Sequence, residues 1–172
     1  MKNISKIRFV ATAGVIAALY VVLTLASWPI SYGPIQVRLS EMLCVLPCFT
    51  PAAIPGLFIG CLLSNLFSTE GLIWADVVFG ALATLLGAFG AYFIGRKQTK
   101  PAIALATLPE VVFNIVAVPL VLKYGYGFED ALWFLALTVG AGEVIACCVL
   151  GIPFGFALRK LPAKVFGKKA EY

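Results

Sequence analysis

The sequence predicts an all-α membrane protein, a single domain of six transmembrane helices over residues 1–172. Hydrophobic residues make up 62% of the chain, charged residues only 12%, and the mean hydropathy is +1.01. A soluble domain is about one quarter charged, so this chain has too few polar side chains to cover its surface in water. At roughly 20 residues for each span, its length accommodates about five to seven spans.

The predicted helices follow the apolar stretches in chain order. They cover residues 8–29, 40–51, 53–68, 71–95, 101–123 and 129–158. The apolar stretch after Arg8 is longer than the core of a signal peptide, so we interpret it as the first span. The second and third helices are short and interrupted by Pro47, Pro51 and Pro55, which is typical of membrane helices whose backbone faces protein or a cavity. We expect the last helix to bend near Pro153.

The placement of lysine and arginine predicts that both termini face the cytoplasm. The outer loops of a six-span topology would hold only Arg38 and Lys123. The inner segments would hold Lys2, Lys6, Arg8, Arg96, Lys97, Lys100, Arg159, Lys160, Lys164, Lys168 and Lys169. Because this bias follows the positive-inside rule, the net charge of +5 indicates orientation in the membrane and requires no nucleic-acid partner.

Six polar residues in or beside the predicted spans are candidates for a ligand chamber: Glu41, Asn65, Asp76, Glu110, Asn114 and Glu143. Ionisable groups inside spans are costly and usually mark substrate, ion or proton sites in the bundle interior. Glu110 and Asn114 share a helix face because they are four residues apart, and we expect Glu143 at a similar depth. Since no lysine or arginine is predicted inside the bundle, ion pairing does not account for all of these acids. The alternative role is structural, as protonated side chains bonded to the backbone or to each other.

The chemistry of these groups indicates a ligand that is rich in hydrogen-bond donors or positively charged. Carboxylates only accept hydrogen bonds, whereas amides both donate and accept. A guanine-like edge with adjacent N–H and NH2 donors, or a protonated amine, suits such a chamber. Aromatic side chains could supply stacking faces, although they otherwise pack internally or anchor at the membrane interface. The candidates are Tyr32, Trp74, Phe113, Trp133 and Phe134.

The polar stretch YGPIQVRLSEML, residues 32–43, lies between the first two predicted helices. Arg38 and Glu41 are three residues apart and can pair locally, which is one explanation for their presence. The alternative is that residues 31–40 form a lid over the ligand, with Gln36 as a polar ligand contact.

The sequence contains no motif for catalysis or for ATP hydrolysis. It has no histidine, which excludes a Ser-His-Asp triad, and it has neither a Walker A motif nor a dinucleotide-binding fingerprint. We therefore predict a protein that is not an enzyme, has no cofactor and has no catalytic residues. Cys44 and Cys48 lie one helical turn apart, so a soft-metal site is conceivable. Without histidine or a CxxC pair we predict no metal and interpret the cysteines as packing residues.

The first predicted helix presents two pairs of small residues, each four apart. Ala13 and Ala17 form one pair, and Gly14 and Ala18 form the other. Small residues at this spacing let helices approach closely in lipid. They predict either a contact with a partner subunit or close packing inside the bundle.

Four stretches resemble the QueT family of substrate-binding S components of energy-coupling factor (ECF) transporters, which is associated with uptake of queuosine precursors. These are IQVRLSEML, WADVVFGALATLLGA, LPEVVFNIVAVP and GAGEVIACCVLGIPF, and the resemblance covers residues 5–160. It implies a six-helix bundle of the S-component type in the bacterial cytoplasmic membrane. It also implies a membrane scaffold subunit and two ATP-binding subunits as partners, with Ala13 and Ala17 at the scaffold contact.

The resemblance further implies a 7-deazaguanine ligand: queuine or its 7-aminomethyl or 7-cyano precursor. In the resulting hypothesis, Glu143 or Glu110 binds the donor edge of the base and Asn114 and Asn65 orient it. Glu41 then meets the amine-bearing arm near the outer mouth, with Arg38 holding it, so Arg38 counts among the substrate-binding residues. One alternative is an S component for another vitamin such as riboflavin or thiamine. A second is a stand-alone proton-coupled transporter with glutamates as relay groups, and a membrane enzyme or assembly factor is a third.

Overall fold

The computed structural model describes residues 2–32, 34–67 and 74–161, and all regular structure in these ranges is helical. Four helices are long and apolar enough to cross a membrane: helix 1 (Lys2–Ala26), helix 4 (Asp76–Gly95), helix 5 (Lys100–Gly125) and helix 6 (Leu132–Leu158). Helix 2 (Leu39–Cys48) and helix 3 (Ala53–Leu66) are apolar but shorter. The expectation of an all-α membrane protein is confirmed at this level. Residue 68 and residues 71–73, predicted at the ends of helices 3 and 4, lie outside the described residues.

Helix 2 is the central element of the bundle, because it contacts helices 1, 3, 4 and 6. The ten residues form a 3₁₀ helix, and nearly all of them are buried. This differs from the α-helix predicted over residues 40–51. A 3₁₀ helix rises about 2.0 Å per residue where an α-helix rises about 1.5 Å, so a short segment reaches further across the bundle.

Helices 4, 5 and 6 each contain a break in α-helical geometry. Helix 4 begins with the π-helical segment Asp76–Gly80. Helix 5 is divided into Lys100–Leu105, Leu108–Leu120 and the π-helical segment Val121–Gly125. Helix 6 consists of Leu132–Glu143, the π-helical segment Val144–Leu150 and Gly151–Leu158. The π-helical segment of helix 6 ends three residues before Pro153, and this wide turn accommodates the missing N–H of the proline.

Helix 1 packs against helix 3 through the first pair of small residues. Ala13 and Ala17 are buried, and a Cβ added to Gly56 of helix 3 would lie only 2.9 Å from the carbonyl oxygen of Ala13. Gly14 and Ala18 point the other way and are exposed. The first pair is thus occupied by an internal contact because helix 3 covers it, and the pair that faces outward is Gly14 and Ala18.

Candidate functional site

An outer network of polar side chains connects the segment before helix 2 to helices 3, 4 and 5. Arg38 Nη1 donates to Asn65 Oδ1 at 3.1 Å, and Asn65 Nδ2 donates to the backbone carbonyl oxygen of Asp76, also at 3.1 Å. The Tyr126 hydroxyl donates to Asp76 Oδ2 at 3.0 Å. The structure therefore brings Arg38, Asn65 and Asp76 together. It also places a cation inside the bundle, where the sequence analysis expected none.

Tyr32 supports Arg38 in this position. The guanidinium carbon of Arg38 lies 5.3 Å from the centre of the Tyr32 ring, a distance typical of a cation–π contact. The Tyr32 hydroxyl donates to the backbone carbonyl oxygen of Ser64 at 2.9 Å. Burial raises the pKa of this hydroxyl, so it stays protonated at neutral pH and continues to donate.

A deeper network, here called the glutamate cluster, consists of Tyr20, Glu41, Glu110, Asn114 and Glu143. The Tyr20 hydroxyl donates to Glu41 Oε1, and the carboxyl groups of Glu41 and Glu110 lie within hydrogen-bonding reach of each other. Asn114 Nδ2 donates to Glu110 Oε1 at 3.4 Å, and the Asn114 side chain also contacts the carboxyl of Glu143. All five side chains are buried, and the most exposed of them, Glu143, is 7% exposed.

Glu110 is the least satisfied member of the cluster. Its side chain is fully buried, and Oε2 has no hydrogen-bond donor among the residues that the structure describes. Gly87 of helix 4 makes room for this carboxyl, because a Cβ at that position would overlap Oε2 and Cδ. An unpaired buried oxygen is costly, so this carboxyl requires either a donor from another group or a proton of its own.

Glu41 lies deeper than predicted, and it does not pair locally with Arg38. It is 3% exposed and contacts Tyr20 and Glu110 in the centre of the bundle. Arg38 has extended backbone angles, φ −94° and ψ 103°, and therefore precedes helix 2. The three-residue spacing consequently does not place the two side chains on one helical face, and each finds a different partner.

Segment 34–38 is seated against helix 6 and buries Gln36. Thr138 Oγ1 donates to the backbone carbonyl oxygen of Pro34 at 2.6 Å. The chain passes so close to Gly142 that a Cβ there would overlap the carbonyl oxygen of Gln36. Glycine is thus required at this position for the segment to reach the helix, and the predicted lid segment lies directly beside Glu143.

Trp74 and Trp133, which the sequence analysis included in the site, do not reach the glutamate cluster. Their side chains are 68% and 72% exposed, and Tyr124 is 78% exposed. All three lie near the helix ends that carry the outer network. Exposed tryptophan and tyrosine at helix ends are typical of anchors at the membrane interface. Of the predicted stacking residues, Tyr32 is buried and contacts the outer network.

The cysteines of helix 2 contact different neighbours. The thiol of Cys44 lies within hydrogen-bonding reach of the thiol of Cys147 in helix 6, whereas Cys48 Sγ donates to the carbonyl oxygen of Ala91 in helix 4 at 3.7 Å, and all of these cysteines are free. In a 3₁₀ helix, residues three apart share a face and residues four apart do not, so this pair diverges. Within the described ranges, no group of three or more His, Cys, Asp or Glu side chains is arranged to hold a metal ion.

Three contributors to the two networks were missed by the sequence analysis: Tyr20, Tyr126 and Cys147. Tyr20 follows Ala17 by three residues, so extending the face of helix 1 by one turn would have identified it. Cys147 follows Glu143 by four residues, and its Sγ donates to Glu143 Oε2 at 3.5 Å. Tyr126 has no local signal, because it is 50 residues from Asp76 in sequence.

The fold and the buried polar networks define a multi-pass membrane protein with an acidic, acceptor-rich interior. The QueT transporter family model matches residues 10–160. The chain therefore belongs to the QueT transporter family, as the resemblance predicted, and this is a family of transporters and not of enzymes.

One curated relative supports the same assignment. The Queuosine precursor transporter QueT of Lactococcus lactis subsp. cremoris (strain MG1363) is 44% identical over 84 residues. The alignment covers 48% of this chain and 48% of the relative, so the match spans about half the length of that protein. No solved structure matched the chain.

Proposed function

We propose that the chain is the substrate-binding subunit of an ECF-type transporter and that it binds a queuosine precursor of the 7-deazaguanine class from outside the cell. Membership of the QueT transporter family and the name of the Lactococcus relative support this substrate class. The observation that carries the proposal is the glutamate cluster, in which buried acceptors outnumber donors and Glu110 Oε2 has no donor. A base with adjacent N–H and NH2 groups supplies the missing donors.

The arrangement of the cluster supports specific roles. Glu143 and Glu110 flank Asn114, which contacts both carboxyls. In the proposed complex, one carboxyl accepts from the donor edge of the base and the amide orients it. Because Glu41 lies beside Glu110 in the interior, the amine-bearing arm would meet Glu41 inside the bundle. The outer network and segment 34–38 would close above the ligand.

The proposed topology has six spans with both termini in the cytoplasm of a bacterial cell. It is supported by the lysine and arginine bias of the sequence. Helix 2 would cross the membrane as a short, buried segment with little contact with lipid, and helix 3 as a short segment that is buried on one face. Because the sequence has no ATP-binding motif, the proposed partners are a membrane scaffold subunit and two ATP-binding subunits, and no cofactor is proposed for this chain.

The test of the proposed substrate is direct binding by the purified protein in detergent. We expect calorimetry to show tight binding of queuine and of the 7-aminomethyl and 7-cyano compounds, and weak or no binding of guanine, riboflavin and thiamine. Binding of riboflavin or thiamine but of no deazaguanine would support the proposed class of transporter and would show that the proposed substrate is wrong. No response by a protein that remains folded would overturn the proposed substrate site.

A stand-alone proton-coupled transporter is a second candidate, and the unpaired oxygen of Glu110 is the observation that favours it. Proteoliposomes that contain this chain alone distinguish the two functions. Uptake driven by a proton gradient without other subunits would support the second candidate. Uptake that requires the scaffold and ATP-binding subunits would support the first.

The outward-facing pair on helix 1 is the proposed contact with the scaffold subunit. We expect Ala18→Leu to reduce co-purification of the partner subunits while ligand binding stays unchanged, because the larger side chain blocks close helix approach. Ala17→Leu is the matched comparison. It should lower the thermal unfolding temperature instead, because Ala17 is buried against helix 3. Full co-purification of the Ala18→Leu variant would show that this face is not the contact.

We expect a substitution of Trp133 to leave the ligand affinity unchanged. Its side chain is 72% exposed, so we expect Trp133→Leu to change ligand affinity by less than about twofold, in keeping with surface substitutions in general. The same calorimetric titration measures this. A large loss of affinity would mean that the ligand extends to the outer surface of helix 6.

A further inference from the structure

The contact between Glu41 and Glu110 has a chemical requirement. Two ionised carboxylates cannot form a hydrogen bond, because neither has a donor. The Glu41 carboxyl already accepts from Tyr20, and Glu110 Oε1 already accepts from Asn114. The remaining oxygen of Glu110, Oε2, is buried without a donor in the described structure. A single proton shared by the two carboxyl groups would supply the donor that their contact requires.

The charges around the pair favour such a proton. The titratable groups that face Glu41 and Glu110 come from helices 1, 2, 3 and 6 and from the segment before helix 2. They are Tyr20, Arg38, Cys44, Cys61, Glu143 and Cys147. Arg38 is the one cation among these described residues, and its charge acts on Glu41 and Glu143 and also on Asp76. Burying unpaired negative charge is costly, so an additional positive charge is required in this region.

We propose that the ligand-free protein holds one proton on the Glu110 carboxyl, shared with Glu41, and that the protonated amine of the ligand displaces it. This inference rests on the proposed function and adds a rule for specificity. The O–H bond of Glu110 breaks, the proton passes to water, and the two carboxylates accept hydrogen bonds from the ammonium group. One positive charge leaves as another enters, so the buried site keeps its net charge.

The exchange distinguishes two ligands that share the deazaguanine base. The 7-aminomethyl compound carries a positive charge on its arm, whereas the 7-cyano compound is neutral. Only the 7-aminomethyl compound can take the place of the proton and leave the net charge of the site unchanged. Glu41 and Glu110 are therefore the residues that exchange a proton for a cationic arm, whereas the neutral 7-cyano compound binds with the proton in place, and Glu143 remains available for the base.

Calorimetry in two buffers of different ionisation enthalpy tests the exchange, because the difference in binding heat counts the released protons. We expect about one proton released per bound aminomethyl ligand and close to none for the cyano ligand. Glu110→Gln should abolish the release, because its amide donates to Glu41 permanently. Glu143→Gln is the matched control, since it removes a carboxyl of the same cluster but should keep the release for the ligand that still binds.

Infrared spectroscopy of the ligand-free protein tests the proton without any ligand. We expect a protonated-carboxyl band at neutral pH that is absent from Glu110→Gln and present in Glu143→Gln. Absence of this difference would overturn the inference, as would aminomethyl binding without proton release or equal release with the cyano ligand. These outcomes leave the proposed function intact. If the folded protein binds neither compound, the proposed function fails, and the infrared band alone then decides whether the proton exists.

Discussion

Glu143→Gln is expected to weaken ligand binding by about 10-fold to 100-fold, the usual range for losing a hydrogen bond to a charged group. The carboxyl of Glu143 is buried and accepts from Cys147 and contacts Asn114. An amide of the same size replaces one acceptor oxygen with an NH2 group, which opposes the donor edge of the base. Because Gln keeps the shape and one acceptor, we expect the thermal unfolding temperature to change little.

Glu129→Gln is the control for this substitution. Glu129 is exposed in the segment before helix 6, so the same loss of charge should leave the affinity unchanged. Calorimetric titration of both purified variants against the aminomethyl and cyano ligands gives the comparison. Equal affinity of Glu143→Gln and the unchanged protein would remove Glu143 from the site.

Gly142→Ala is expected to accelerate ligand dissociation by about 10-fold, equivalent to roughly 1.4 kcal/mol of lost stabilisation of the closed segment. The added Cβ would overlap the carbonyl oxygen of Gln36. This obstacle is backbone, so it cannot move aside as a flexible side chain can. Segment 34–38 would have to withdraw from helix 6 and would break its hydrogen bond from Thr138.

Gly140→Ala is the matched control, because its Cβ would meet only the end of the Ile115 side chain, at 3.0 Å. Stopped-flow measurement of ligand release from both variants tests the prediction. Thr138→Val should produce a smaller acceleration, since it removes one hydrogen bond and keeps the fit. A wild-type release rate in Gly142→Ala would show that segment 34–38 does not close the site.

The sequence was informative about which residues occupy the interior. Composition alone indicates a membrane protein, because a chain with so few charges cannot form a water-covered surface. Ionisable residues in apolar stretches point inward for the same reason. This argument correctly selected Glu41, Glu110, Asn114 and Glu143, which the structure brings into one cluster.

The geometry of helix 2 was not predictable from local pattern. A mostly apolar segment of ten residues favours an α-helix, because 3₁₀ runs longer than about three or four residues are uncommon. The 3₁₀ geometry of helix 2 therefore reflects its packing against four surrounding helices. The 3₁₀ geometry of helix 2 places the Glu41 side chain in the centre of the bundle and directs Cys44 and Cys48 to different neighbours. The break in helix 5 near Thr107 was missed too, although Pro109 follows closely and proline disfavours helical geometry in the residue before it.

The sequence by itself thus determined the all-α membrane class and the acidic character of the interior, because these depend on residue type and on cost in an apolar medium. The family followed separately, from the resemblance of four stretches of the chain. The tertiary structure alone decided which polar groups meet. It moved Arg38 from a loop into the outer network, covered Ala13 and Ala17 with helix 3, and directed Trp74 and Trp133 outward. Such pairings depend on contacts between residues far apart in the chain, for which local spacing carries no information.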